Sequence, residues 1–148
     1  MGAQLSLLQK MGFCNLYGID VNLQAVEKAN QLTKTMNIIQ GSAFDIPFGD
    51  NYFDLVFTSG VLIHIAPQDI KKAISEIYRC SKKYIWGFEY YAPQHTEILY
   101  CGKSNILWKA DFAKMYCNHF KGLRLIKEKR LKYLDSENVD SMFLLEKQ

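Results

Sequence analysis

Two short apolar runs in the middle of the chain constrain its fold more than any other feature. The first run is Asn37–Gln40 and the second is residues 53–57, and neither alternates polar with apolar side chains. Continuous β-branched and aromatic runs of this length are typical of strands buried on both faces, as in a parallel sheet covered by helices. The linker between the runs contains the turn formers Gly41 and Pro47. The sequence therefore predicts two buried strands separated by a turn.

The rest of the chain alternates helical and extended patterns. Apolar residues recur every three or four positions in the predicted helices. Such alternation is typical of a mostly parallel sheet with helices on both faces. A short polar turn at residues 135–138 implies that the last two strands are antiparallel. We predict helices at Ala3–Lys10, at 23–35, from Ile70 onward and at 109–118; strands at 15–19, Asn37–Gln40, 53–57, 84–90, 123–130 and 139–145; and an irregular loop at 92–107.

Length and composition predict one globular domain spanning residues 1–148. Hydrophobic residues make up 49% of the chain, which supports a packed core. The weak net charge of +3 neither demands nor excludes a nucleic-acid partner, and we predict none. No apolar run approaches the ~20 residues of a membrane span, and the start of the chain lacks a signal-peptide pattern. Four cysteines without a Cys-x-x-Cys pair predict reduced thiols, a cytoplasmic location and no metal site.

One acidic residue stands where a sheet of this kind binds its ligands. In open α/β sheets, ligands bind outside the carboxyl ends of the strands, where residues 42–45 and 58–60 are expected to lie. Asp20 ends a predicted strand directly before a helix, and a carboxylate there can accept two hydrogen bonds from a ribose diol. Alternatively, Asp20 only caps the following helix alongside Asn22. The residues by themselves leave both interpretations open.

Taken together, these segments resemble a class I S-adenosylmethionine-dependent methyltransferase. LYGIDVN resembles the second strand of that family with its ribose-binding acid. QGSAFDIPFGDNYFDLVFTSGVLIHI resembles the stretch through the adenine loop, the fourth strand and the segment after it, and the last two strands match the end of that fold. Within the class, SAFDIPF, EYYAP and CGKSNILWKADFAKMY are most similar to methylases associated with pseudaminic acid and related surface-sugar biosynthesis.

The resemblance implies a Rossmann-like three-layer sandwich, mostly parallel with an antiparallel final strand, that binds S-adenosyl-L-methionine. It also implies that the family's first strand is missing, because MGAQLSLLQKMGF resembles the tail of the glycine-rich motif and its helix. We therefore expect an N-terminally truncated chain, in which a homodimer could complete the sheet. Ser42 replaces the acid that many members carry. The implied cofactor-binding residues are Gly2, Asp20, Val21, Ser42, Ala43, Phe44, Ser59 and Gly60.

Methyl transfer is an in-line displacement, so the protein must mainly align donor and acceptor, and a base helps only with a hydroxyl or a protonated amine. His64 is the candidate base, unless it merely packs the start of a helix. Glu89 is expected to bind an amine or hydroxyl of the acceptor, unless it is a solvated strand end. The expected acceptor-side residues are Tyr90, Tyr91, Lys103 and Trp108. Either tyrosine could contact the sulfonium by cation–π attraction or could simply pack in the core. Trp108 could stack on a sugar ring or could anchor the loop to the sheet.

The sequence therefore supports two functions of different classes. The first is a methyltransferase, or the remnant of one, that acts on a small sugar-like acceptor in surface polysaccharide biosynthesis. The alternative is a non-catalytic binding or assembly module that has lost the cofactor. A nicotinamide-dependent oxidoreductase is disfavoured, because no tyrosine-x-x-x-lysine pair follows the fourth strand.

Overall fold

The computed structural model describes residues 2–32 and 36–148. The chain divides into two compact units, Met1–Pro47 and Phe48–Gln148. The single domain predicted for residues 1–148 stays a prediction. None of the helices found in the described ranges combines the length and the apolar character that a bilayer span demands.

The first unit is built on a pair of parallel strands. The two strands pair in register from Tyr17↔Asn37 to Asp20↔Gln40, so their carboxyl ends lie at the same edge. The first helix packs on them closely, since a Cβ added at Gly18 would lie 3.0 Å from Leu5 Cδ1. The elements are α1 (Ala3–Lys10), β1 (Tyr17–Asp20), α2 (Leu23–Leu32) and β2 (Asn37–Gln40).

The predictions for this unit are largely confirmed. Both helices and both strands are present, and the last three residues predicted for the second helix, 33–35, lie outside the described residues. The expectation that β2 is buried on both faces is wrong. Ile38 is buried, but Ile39 is 39% exposed. The two strands form a sheet of their own, so each has an edge that pairs with no other described strand.

The second unit contains a four-stranded sheet in the order β3-β4-β8-β7. Strands β3 and β4 are parallel, and β8 runs antiparallel to β4. Strands β7 and β8 are also antiparallel, as the polar turn between them predicted. The elements are β3 (Phe53–Ser59), a 3-10 helix (Leu62–His64), α3 (Ile70–Cys80), β4 (Ser81–Tyr90), β5 (Thr96–Glu97), β6 (Trp108–Lys109), α4 (Phe112–His119), β7 (Leu123–Lys132) and β8 (Val139–Lys147).

Helices α3 and α4 lie side by side on one face of this sheet. The ring of Tyr78 on α3 stacks on Phe120 at the end of α4, with centroids 3.9 Å apart. Tyr116 of α4 packs on Phe143 of β8, and both are buried. On the opposite face of β4, Trp86 is only half-buried. Within this unit, the described helices α3 and α4 therefore cover one face of the sheet.

Three local predictions need correction. Strand β3 is not buried on both faces, because it lies at the edge of its sheet and Leu55 is 43% exposed. The loop predicted at 92–107 contains half of a small hairpin, in which β5 pairs with β6. Helix α4 begins at Phe112 rather than at residue 109, because the carboxylate of Asp111 caps it by accepting a hydrogen bond from Lys114 N at 3.0 Å.

Gly87 in β4 is packed tightly against a side chain of the neighbouring strand. A Cβ added at Gly87 in β4 would lie 2.1 Å from Cζ of Phe143, its cross-strand partner. Phe143 is itself almost fully buried, so its ring has little room to move away. Gly87 therefore leaves room for the ring of Phe143 close to the backbone of a central strand.

We expect Gly87→Ala to destabilise the protein by ~1–3 kcal/mol, because the added methyl group overpacks a filled core. Urea unfolding followed by circular dichroism measures this difference. Gly122→Ala is the matched control, since a Cβ there meets nothing within 4 Å. Equal stability of the two variants would contradict the close packing described here.

Candidate functional site

In the first unit, a carboxylate is fixed at the edge where β1 ends. Oδ1 of Asp20 accepts a hydrogen bond from Asn22 N at 2.9 Å. Asn22 in turn caps α2, because its Oδ1 accepts from Gln24 N at 2.9 Å and Ala25 N at 3.2 Å. Asn22, and not Asp20, therefore caps helix α2. Asp20 holds the turn before the helix through one oxygen, and its second oxygen has no hydrogen-bond partner within residues 2–32 and 36–148.

A tight turn follows β2 at the same edge. Ser42 Oγ accepts a hydrogen bond from Phe44 N at 3.1 Å, and Ser42 also forms a bridge with Asp45. Gly41 N donates to Asp20 O at 3.1 Å, which joins this turn to the end of β1. Ala43 and Phe44 are half-buried within it. The carboxylate and the serine turn, which the sequence predicted to be neighbours, are neighbours in the structure.

Two further predicted cofactor residues frame this edge. Val21 is 69% exposed directly after Asp20, and its carbonyl accepts from Gln40 Nε2 at 3.1 Å. Gly2 precedes α1 with φ of 68°, a left-handed conformation that glycine adopts without strain. This edge of the first unit offers a carboxylate, a hydroxyl and an aromatic ring. These groups suit the ribose and the adenine of a nucleoside cofactor.

In the second unit, β3 ends in a sharp turn that is tied to its neighbour strand. Ser59 is the last residue of β3, and Gly60 follows with φ of 63°. Gly60 N donates to Phe88 O at 2.9 Å, which extends the pairing of β3 with β4 by one residue. The positive φ requires glycine or strain at this position. The chain then enters the short 3-10 helix that carries His64.

Glu89 is buried beneath this turn. Its side chain is among the least exposed in the unit, at 1%. The carboxylate accepts hydrogen bonds from Val61 N at 3.2 Å and from Ile63 N at 3.4 Å. Burial raises the pKa of Glu89 to about 7, although hydrogen bonds from Thr58 and from the turn oppose that shift. The alternative interpretation of Glu89 as a solvated strand end is wrong, because its carboxylate is buried and hydrogen-bonded to the backbone of the 3-10 turn.

His64 stands on that turn with one ring nitrogen engaged. Nδ1 lies 3.0 Å from the carbonyl oxygen of Ile106, and the side chain is exposed. A carbonyl only accepts, so this bond requires a proton on Nδ1 and leaves the lone pair on Nε2. The contact also joins the 3-10 helix to the segment before β6. His64 therefore has the tautomer and exposure that a base needs.

A cleft of about 460 Å³ opens beside this contact, between the segment after the 3-10 helix and the β5–β6 hairpin. Residues on both sides flank the bond between His64 and Ile106. The lining combines an indole, a carboxylate, an imidazole and two amides. The residues are Ala66, Pro67, Gln68, His95, Glu97, Asn105 and Trp108.

The predicted acceptor residues are divided between the cleft and its surroundings. Trp108 lines the cleft, while Lys103 forms a tight turn with Tyr100 and is not part of the lining. One face of the Tyr91 ring is covered by the guanidinium of Arg130, with Cζ 3.1 Å from the ring centroid. Tyr90 packs edge-on against Tyr133, with centroids 6.1 Å apart. Both tyrosines are therefore already engaged within the protein.

Sequence reasoning missed most of the cleft. His95, Glu97 and Asn105 fall in the region without a helical or strand period, so no pattern connected them. The available signal was the length of that region, since long irregular loops in compact domains are often functional. Among the residues that the structure describes, no three His, Cys, Asp or Glu side chains group as metal ligands.

We expect the stability contributed by Glu89 to fall as pH rises. Its pKa is raised from 4.5 to about 7 on folding, so its contribution is complete below pH 4.5 and is lost as pH passes through 7. The unfolding free energy of the native protein minus that of Glu89→Gln should decrease over this range by on the order of 3 kcal/mol. Urea titrations at several pH values measure it, with Glu137→Gln in an exposed turn as control. A flat difference would contradict the burial.

Comparison with known proteins identifies the family. A family model described as methyltransferase domain matches residues 1–84. An uncharacterized methyltransferase of Synechocystis is 31% identical over 81 residues, which are 55% of this chain and 38% of that protein. The chain spans little more than a third of the length of the curated relatives that it matches.

Solved structures agree at the level of the fold. PH0226 protein from Pyrococcus horikoshii superposes with a TM-score of 0.78 at 14% identity, over 99% of this chain and 77% of that one. The 1,6-didemethyltoxoflavin-N1-methyltransferase of Burkholderia thailandensis, solved with bound S-adenosylhomocysteine, gives a TM-score of 0.79 at 9% identity over 99% and 67%. The chain therefore belongs to the methyltransferase domain family and has the Rossmann-like fold of class I S-adenosylmethionine-dependent methyltransferases.

Proposed function

We propose that this chain binds S-adenosyl-L-methionine and serves methyl transfer to a small, sugar-like acceptor. The observation that carries the proposal is the edge of the first unit, where Gly41 N donates a hydrogen bond of 3.1 Å to the main-chain carbonyl oxygen of Asp20 and so joins the residue that bears the carboxylate to the Ser42 turn. The Burkholderia neighbour, which holds S-adenosylhomocysteine, supports the same ligand. Four free cysteines support a reducing, cytoplasmic setting.

The residues of the first unit would hold the nucleoside end of the cofactor. The free oxygen of Asp20 would accept hydrogen bonds from the ribose diol, while Val21 and the turn 42–44 would border the adenine. When bound, the cofactor supplies a methyl group activated by its sulfonium. Gly2, in a left-handed conformation before α1, suits close backbone approach to a ligand.

His64 is the proposed base of the second unit. Its Nδ1 is held by the carbonyl of Ile106, so Nε2 is free to accept a proton from a hydroxyl or an ammonium. We assign Glu89 a positioning role instead of a catalytic one, because its carboxylate is buried against the backbone of the turn that carries His64. Ser59 and Gly60 lie at the carboxyl end of β3, just before the turn that carries His64. Trp108 supports a sugar-like acceptor, since an indole that lines a cleft suits the apolar face of a sugar ring.

We expect Asp20→Asn to weaken binding of S-adenosylhomocysteine by ~1.5–3 kcal/mol, roughly a 10- to 150-fold rise in Kd. Asparagine keeps the oxygen that accepts from Asn22 N, so the turn before α2 is preserved while the charge is lost. Calorimetric titration measures the effect, and Asp20→Ala should weaken binding at least as much. Asp135→Asn, in the exposed turn before β8, is the matched control.

Two outcomes of that titration would decide between the alternatives. Tight binding that is unaffected by Asp20→Asn would contradict the assignment of Asp20. Absence of any binding or thermal shift with the native chain would contradict the enzyme and favour the non-catalytic binding or assembly module.

We propose, in addition, that a second copy of the chain pairs along β3. This strand is an edge of its sheet, is mostly apolar and exposes Leu55 by 43%. The other edge strand, β7, is defended by a register shift after Leu125 and by alternating lysines and arginines. Natural sheets use irregular pairing and charged side chains to prevent pairing at their edges. Strand β3 lacks both features from Leu55 onward and is therefore the edge that favours a partner.

Light scattering coupled to size exclusion should find a dimer that Leu55→Lys converts to a monomer, because a charge on an edge strand opposes pairing. Leu125→Lys is the matched control, since Leu125 is 42% exposed on the defended edge. A monomeric native protein, or equal effects of the two variants, would overturn this proposal.

A further inference from the structure

We propose that the cleft of the second unit binds a small polyhydroxylated ligand through a protonated amine. The role of this cleft as the site of the methyl acceptor rests on the proposed function, whereas its binding of such a ligand does not. The cleft has a volume of about 460 Å³, which lies within the range of small-molecule sites, roughly 300–1,000 Å³. This volume suits a ligand the size of a monosaccharide.

The charge of the lining selects the ligand's charge. Glu97 is the one carboxylate among the lining residues, and these include neither lysine nor arginine. Burial lowers the pKa of the His95 imidazole, which favours the uncharged ring. The cleft therefore carries a net negative charge. A phosphate or carboxylate would have no cation to pair with and would be repelled by Glu97.

Glu97 and Trp108 together form a place for a cation. They are directly opposed across the β5–β6 hairpin, so their side chains project from the same face of the two strands. An ammonium between them would pair with the carboxylate and contact the face of the indole by cation–π attraction. Trp108 is 6% exposed and is thus held firmly in the wall of the cleft.

The carboxylate is held before any ligand arrives. Glu97 Oε1 accepts a hydrogen bond from the backbone N of Asn105, across the loop that connects β5 with β6. Asn105 has a positive φ of 58°, which this loop closure requires. A side chain fixed in this way loses little conformational entropy when it binds. Hydroxyl groups of the ligand would meet the amides of Gln68 and Asn105.

The position of the cleft connects it to the proposed base. Asn105 directly precedes Ile106, whose carbonyl holds His64, and the lining residue Ala66 lies two positions after His64. One contact thus joins both walls of the cleft. A ligand anchored at Glu97 would therefore lie beside the contact that holds His64.

Three open-chain polyols that differ in one terminal group test the inference. Glucamine is cationic, glucitol neutral and gluconate anionic at neutral pH. Binding is followed by Trp108 fluorescence in a Trp86→Phe background, because the chain has 2 tryptophans. Saturation-transfer NMR on the unmodified chain provides an independent readout. We expect glucamine to bind at least tenfold more tightly than glucitol and gluconate to bind least.

Glu97→Gln is the decisive variant. Glutamine retains an oxygen that can accept from Asn105 N, so the loop closure persists while the charge disappears. We expect this variant to lose about tenfold in affinity for glucamine and to bind glucitol unchanged. Glu27→Gln, on the exposed side of α2, removes the same charge outside the cleft and should leave all three affinities unchanged.

Preference for gluconate, equal binding of the three polyols, no binding, or an unaffected Glu97→Gln variant would each overturn the inference. None of these measurements involves the cofactor. A chain that binds S-adenosylhomocysteine but discriminates no amine therefore refutes the cleft assignment alone. A chain that selects glucamine without binding S-adenosylhomocysteine refutes the proposed function alone.

Discussion

A single buried carboxylate holds together the end of the second unit's sheet. Glu89 is the penultimate residue of β4, and its carboxylate accepts backbone hydrogen bonds from Val61 and Ile63. These N–H groups point into a core that excludes water, so an apolar side chain at position 89 would leave them unsatisfied, at about 1–3 kcal/mol each. Burial of the carboxylate is itself unfavourable, as its raised pKa shows. The structure accepts that penalty and gains a fixed position for His64, which directly follows the bonded residue Ile63.

The same strand organises the packing on which this arrangement rests. Residues of β4 that face the helices are buried in alternation, from Ile85 through Gly87 to Glu89. Gly87 brings Phe143 against the backbone, and Phe143 in turn packs on Tyr116 of α4. Because β4 pairs with β3 on one side and β8 on the other, a shift of this strand would move both neighbours and the turn above them. Strand β4 therefore belongs both to the core of the second unit and to the turn that carries His64.

The sequence predicted what depends on local pattern and missed what depends on contacts distant along the chain. Local pattern located the four α-helices of the described ranges, and the position of Asp20 before Asn22 predicted its place at a strand end. Burial of Glu89 could not be predicted, because a glutamate among tyrosines is normally a solvent-facing residue. Its partners lie 26 to 28 residues away. The cleft was missed for the same reason, since Gln68 and Glu97 meet only through the fold.

Charge connects the proposed acceptor site with the proposed base. An amine bound as an ammonium at Glu97 has no lone pair with which to attack a methyl group, so a proton must leave before transfer. Nε2 of His64 can take that proton, because the Ile106 carbonyl fixes the ring's other proton on Nδ1. An ammonium and an imidazole differ in pKa by far less than a sugar hydroxyl and an imidazole do. A cleft that selects amines therefore suits an imidazole base better than a cleft that selects hydroxyl acceptors would.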